Sequence, residues 1–182
     1  MFYNNAWWRR VWWGMFFAGS VLGYAADNRG EIATNERADI ASAFRSGEIQ
    51  VARSRVDAAS AARPSREAAA VGRMAILSDV SVMLYGKEGR GLVDCVAEMR
   101  RGATAASADK STMSQVWTRV GDVEAKLLGD TTAARGSYMK AIEFNEKNES
   151  ALKGIERLDL LAEAWQGLTP SAQADREWFS FA

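Results

Sequence analysis

The sequence predicts an all-α fold in which antiparallel helix hairpins stack as a short solenoid and a final helix follows them. Three observations predict it. Pro64 and Pro170 are the only prolines, so 105 consecutive residues run without a proline break. From Thr34 to Leu168 the chain is rich in Ala, Leu, Arg, Glu, Lys and Met, all good helix formers. No segment sustains the period-2 alternation of a half-buried strand.

The element boundaries follow from punctuation. Gly47, Gly86, Gly89, Gly102 and Gly129 fall between periodic blocks and read as helix C-caps and tight turns. Ser65 after Pro64, Thr112 with Gln115 as a capping box, and Thr169 ahead of Pro170 read as helix starts. An early block carries Gly47-Glu48, Ala52, Val56, Ala59 and Pro64. In the middle, Met74, Leu77, Val80 and Leu84 make an apolar stripe on a long helix, followed by Leu92, Cys95, Met99 and Gly102.

The clearest segment is Trp117 to Leu161. Trp117, Val120 and Gly121 share a helical face, and Lys126-Leu127-Leu128-Gly129-Asp130 closes a turn. A second helix carries Ala134, Tyr138, Ala141 and Ile142. Ala134 and Ala141 permit a close helix approach, and Tyr138 fills the space between them. Asn148 then starts a helix with Ala151, Leu152, Ile155 and Leu158 at helical spacing.

This segment resembles the tetratricopeptide repeat. Trp117 and Gly121, Gly129-Asp130, then Ala134, Tyr138 and Ala141 stand where that family has its bulky and small residues, its turn, and its alanine-aromatic-alanine run. Two departures are visible: one extra residue lies between Trp117 and Gly129, and Glu146 stands where the family has proline. The small positions Ala52, Cys95 and Ala134 are spaced by 43 and 39 residues, longer than the standard repeat of about 34. The resemblance implies helix pairs whose first helices line a concave binding face. An irregular helical bundle is the alternative.

The N-terminus differs in composition. Residues 1–25 hold nine of the eighteen aromatics, and their only charges are Arg9 and Arg10. The uncharged run from Val11 to Ala26 includes Trp12, Trp13, Phe16 and Phe17 and ends near Gly23-Tyr24-Ala25. A basic start, a short apolar run and small residues at −3 and −1 make a secretory-signal pattern, with cleavage after Ala25. As a helix the run spans ~24 Å, short of the ~30 Å hydrocarbon core. Paired Trp residues flanking the Arg pair look like an interfacial belt, which suits a retained anchor as the second reading. The expected organisation is therefore a signal or anchor over 1–25, a repeat domain over 26–169, and a C-terminal capping or docking helix over 170–182.

Composition also narrows the chemistry. Lys plus Arg and Asp plus Glu both total 23, and no basic surface for nucleic acid is visible in that balance. There is no His, which removes the commonest general base and metal ligand. The single Cys95 lies on an apolar stripe and reads as a small buried hydrophobe. Asp122, Glu124, Asp130, Glu143, Glu146 and Glu149 fall at solvent-side or loop positions of the helix reading, and Arg100-Arg101 at a helix end. The Gly-rich run 86–91 lacks the Ser/Thr ending of a phosphate loop and reads as an inter-helix turn.

These features predict a non-catalytic protein-interaction module with no cofactor, no metal and no small-molecule substrate. It would be exported or membrane-tethered by its N-terminal segment. An accessory subunit of a membrane complex, with a retained N-terminal helix, is the second reading. Arg45, Arg73 and Arg119 are expected to project onto the first-helix face and receive acidic groups. The family's Lys and Asn peptide-carboxylate clamp has no counterpart among these residues. Trp178, Phe179 and Phe181 concentrate three aromatics in the last five residues. They either fold back to cover the last repeat-like helix, burying Trp165 and Leu168, or contact a partner.

Overall fold

A computed structural model of the chain describes residues 34–166, which are helical with no strand among them. The helices are α1 (Thr34–Arg45), α2 (Ile49–Ala61), α3 (Arg66–Leu84), α4 (Gly91–Ala105), α5 (Lys110–Val123), α6 (Thr131–Phe144) and α7 (Glu149–Gln166). A π-helical turn, Glu124–Leu128, prolongs α5. Each helix packs on the next, across connections of no more than six residues, so neighbours run antiparallel. The odd-numbered helices also touch in series, α1 on α3, α3 on α5 and α5 on α7.

Packing holds the helices more than propensity does. Ile40, Phe44, Val56, Leu77, Val80 and Met99 are essentially removed from solvent. Each such side chain contributes about 1.5–3 kcal/mol, against propensity differences of less than ~1 kcal/mol per residue. The expected stripe of Met74, Leu77, Val80 and Leu84 is buried along α3, and the small positions Ala52, Cys95 and Ala134 are fully buried. Leu152, expected on the inward face of α7, is instead 45% exposed, while Ala151, Gly154 and Leu158 face inward. On a 3.6-residue turn, 151, 154 and 158 share one stripe and 152 lies a quarter-turn and more away from it.

The caps explain the helix ends. Ser65 Oγ accepts the Ala68 N–H at 3.1 Å, and Asn148 Oδ1 accepts that of Ala151 at 3.1 Å. Thr112 is not a cap. Helix α5 begins earlier, at Lys110, and its N-cap is Asp109, whose Oδ1 accepts the Thr112 N–H at 3.0 Å and whose Oδ2 accepts its hydroxyl at 2.6 Å. Aspartate both caps the orphan amides and complements the helix dipole, so it wins over the threonine three residues on. Gly47, Gly86, Gly89 and Gly129 adopt positive φ, as turns require. Gly102 does not: it lies inside α4, where the Arg73 side chain crosses it.

The π turn ends in a tight closure. Gly129 has φ 70°, the left-handed conformation, while the Asp130 N–H reaches back to the Glu124 carbonyl at 3.1 Å. Asp130 then caps α6 through the Ala133 N–H at 2.8 Å. Among the described residues no helix is long and apolar enough to cross a membrane. The expectations for Arg9, Arg10, Trp12, Trp13, Phe16, Phe17 and Ala25, and for Trp178, Phe179 and Phe181, concern residues outside the described range.

Candidate functional surfaces

The odd helices build one face. Val71, Ala75, Ser78 and Val82 on α3, followed by its C-cap residue Tyr85, recur at spacings of four and three and pass from half-buried to exposed. Val82 and Tyr85 are each 47% exposed. Asp79 lies beside this stripe and pairs with Arg37 of α1 at 3.2 Å. Burial pushes the Asp79 carboxyl above its ordinary value, while the positive charges of Arg37 and then of Arg119 on α5 oppose the rise. Three successive odd helices thus present Arg37, Asp79 and Arg119, a carboxylate between two guanidinium groups.

The structure does not bring Arg45, Arg73 and Arg119 together. Arg119 is half-buried on α5 and within electrostatic reach of Asp79. Arg45 is exposed at the far end of α1, eight residues or about 12 Å along the axis from Arg37. Arg73 turns the other way, toward α2 and α4, where it bonds Asp57 and Glu98. Its position on α3 is some 120° round the helix from Asp79, and the two carboxylates hold it there.

Glu98 organises that second region. It is 2% exposed and accepts from Arg53 Nε at 3.1 Å, from Arg101 Nε at 2.8 Å, and from Arg73. Burial opposes its ionisation, yet the hydrogen bonds and charges of Arg101 and Arg53 outweigh burial and hold the carboxyl below its ordinary 4.5. Arg100 serves a parallel purpose. It bonds Glu124, a buried carboxylate that also accepts the Ser137 hydroxyl at 2.7 Å. Glu124 is therefore not solvent-side, and Arg100 and Arg101 are not a helix-end pair, because α4 runs on to Ala105. Asp122 stays partly exposed, pairing with Lys126 at 3.1 Å while accepting the Tyr138 hydroxyl at 2.9 Å.

An open cleft of about 400 Å³ lies where α2 ends, α3 begins and α4 ends. Arg66, Arg73, Arg101 and Asp57 line it, over a floor of small or apolar residues such as Ala69, Ala105 and Met74. Cys95 is buried, and burial pushes its thiol up to about 12 despite a contact with the Ser81 hydroxyl at 3.4 Å. Among the described residues no group of Cys, Asp or Glu side chains is arranged to hold a metal ion. The described surfaces thus carry paired charges on one face and guanidinium donors around the cleft.

Arg37, Asp79, Asp57 and Glu98 were not singled out by sequence reasoning, although a signal existed. Arg37, Asp79 and Arg119 are spaced by 42 and 40 residues, close to the 43 and 39 of the buried small positions. No family model, no curated protein and no solved structure matches the chain.

Proposed function

We propose that this chain is a non-catalytic protein-interaction module of stacked helix pairs, resembling tetratricopeptide repeats and acting as a scaffold. In this reading α1/α2, α3/α4 and α5/α6 are successive pairs, α7 opens the next, and the odd helices line the binding face. The observation that carries it is the contact pattern: each helix packs on its neighbour, and the odd helices touch in series. Two details support it. Tyr138 lies between Gly121 and Gly154, at the junction of α6 with α5 and α7. The extra residue between Trp117 and Gly129 coincides with the π turn at Glu124–Leu128, the conformation in which a helix absorbs a single inserted residue.

The address follows from residues 1–25, whose Arg pair, apolar run and Ala25 make an exported or membrane-tethered protein. The flanking Trp pairs favour a second reading, an accessory subunit of a membrane complex with a retained N-terminal helix. N-terminal sequencing of the native protein separates them. A start at Ala26 supports the exported module, and an intact N-terminus in a detergent-extracted complex supports the subunit. A full-length protein found only in the aqueous fraction and unassociated with any other chain overturns both.

A further inference from the structure

We infer that the cleft between α2, α3 and α4 is a docking site for an acidic, partly apolar segment of a protein partner, distinct from the odd-helix face. The inference rests on the interaction-module reading. Around the cleft and the carboxylate behind it, Arg53, Arg66, Arg73 and Arg101 stand against only Asp57 and Glu98. The excess is positive in a chain of zero net charge.

The donors are also incompletely used. Arg73 spends Nη1 on Asp57 and Nη2 on Glu98, and its Nε is buried against Gly102 without a hydrogen-bond partner. Arg101 spends Nε and Nη2 on Glu98 and keeps Nη1. Arg66 has no ion-pair partner among the described residues and stands exposed in the first turn of α3. The Arg73 Nε is closed off by that packing, so Arg101 Nη1 and the exposed Arg66 guanidinium are the donors left for an incoming carboxylate, which a guanidinium fork matches.

The floor decides between ligand classes. Ala69, Ala70, Ala105, Ala106 and Val116 give the cleft a shallow apolar bed beneath its cations. That combination suits alternating carboxylates and small aliphatic side chains. A nucleic-acid strand would want a continuous basic track with exposed aromatics, and the cleft lining contains no aromatic residue.

The test is fluorescence anisotropy on the full chain. The probes are a labelled peptide alternating Glu with Leu, its counterpart with Gln for Glu, and a labelled single-stranded RNA. The Glu peptide should bind, the Gln peptide should bind at least ~10-fold more weakly, and added salt should weaken the Glu complex. Arg66→Glu should weaken binding at least ~10-fold while leaving the circular dichroism unchanged, since acidic residues suit a helix N-terminus. Ala105→Glu, also in the cleft, should do the same. Lys87→Glu, the same charge reversal in the α3–α4 loop, should leave binding intact.

Equal affinity for the Glu and Gln peptides overturns the inference, as does an equal loss in Arg66→Glu and Lys87→Glu. Tighter RNA than peptide binding overturns it in favour of a nucleic-acid groove. None of these outcomes touches the broader reading, which N-terminal sequencing and cross-linking from the odd-helix face test separately.

Discussion

Tyr138 and Gly154 are fitted to each other: a Cβ at position 154 would lie 2.6 Å from the Tyr138 ring. Gly121 flanks the same ring from α5, where an added Cβ would approach to 2.8 Å. The ring is 1% exposed, and its hydroxyl reaches Asp122. One aromatic side chain on α6 therefore sets how closely α5 and α7 approach.

Gly154→Ala and Gly121→Ala should each destabilise the protein by about 1–3 kcal/mol, because a packed aromatic ring cannot yield to an extra methyl. Gly136→Ala, on the same helix as Tyr138 but with open space at its Cβ, should stabilise by about 0.5–1 kcal/mol. Urea denaturation of the three variants checks the register; stabilisation by all three would contradict it.

Ala134 is fully buried in α6. Ala134→Leu should cost about 1–3 kcal/mol by overpacking. An unchanged thermal midpoint would mean that the helix approach there is looser than described.

Asn148 joins three helices. It caps α7, and its Nδ2 donates to Ser114 Oγ at 2.7 Å and to Thr118 Oγ1 at 2.9 Å, while the Ser114 hydroxyl donates to the Ala141 carbonyl at 2.7 Å. Asn148→Ala removes a cap and takes away the donor that two buried hydroxyls accept from, so it should cost about 1–3 kcal/mol. Hydrogen exchange should show the loss concentrated in α7; uniform loss across the chain would argue against a local hub.

Glu98 ties stability to pH. Its folded carboxyl titrates below the ordinary 4.5, so its contribution is present above that value and is lost as pH falls through the lower, folded value. Acid titration of stability should therefore be flatter below about pH 4.5 in Glu98→Gln than in the parent. Parallel acid limbs would show that the three arginines do not hold the carboxylate ionised.

Much of the fold was legible in the sequence. The stripe on α3, the small positions and the Ser65 and Asn148 caps follow from spacing and side-chain chemistry alone. The α5 start was misread because Thr112 and Gln115 satisfy a local pattern that Asp109 satisfies better. Gly102 was misread because a glycine needed for the crossing of Arg73 looks, in sequence, like one needed for a turn. Glu98 and Glu124 were illegible for a different reason: a buried carboxylate is recognised by partners on other helices, here Arg53 and Arg73 or Ser137. Of the three arginines expected on one face, the same long-range pairing diverts Arg73.

The central claim is that the odd-helix face meets a protein partner. A photo-cross-linking amino acid at Tyr85, compared with one at the exposed Met139 on α6, tests it most directly in cells of the source organism. The account predicts a discrete protein adduct from position 85, lost in Arg119→Glu, and none from position 139. Adducts of equal yield from both positions, or none from position 85, would contradict it.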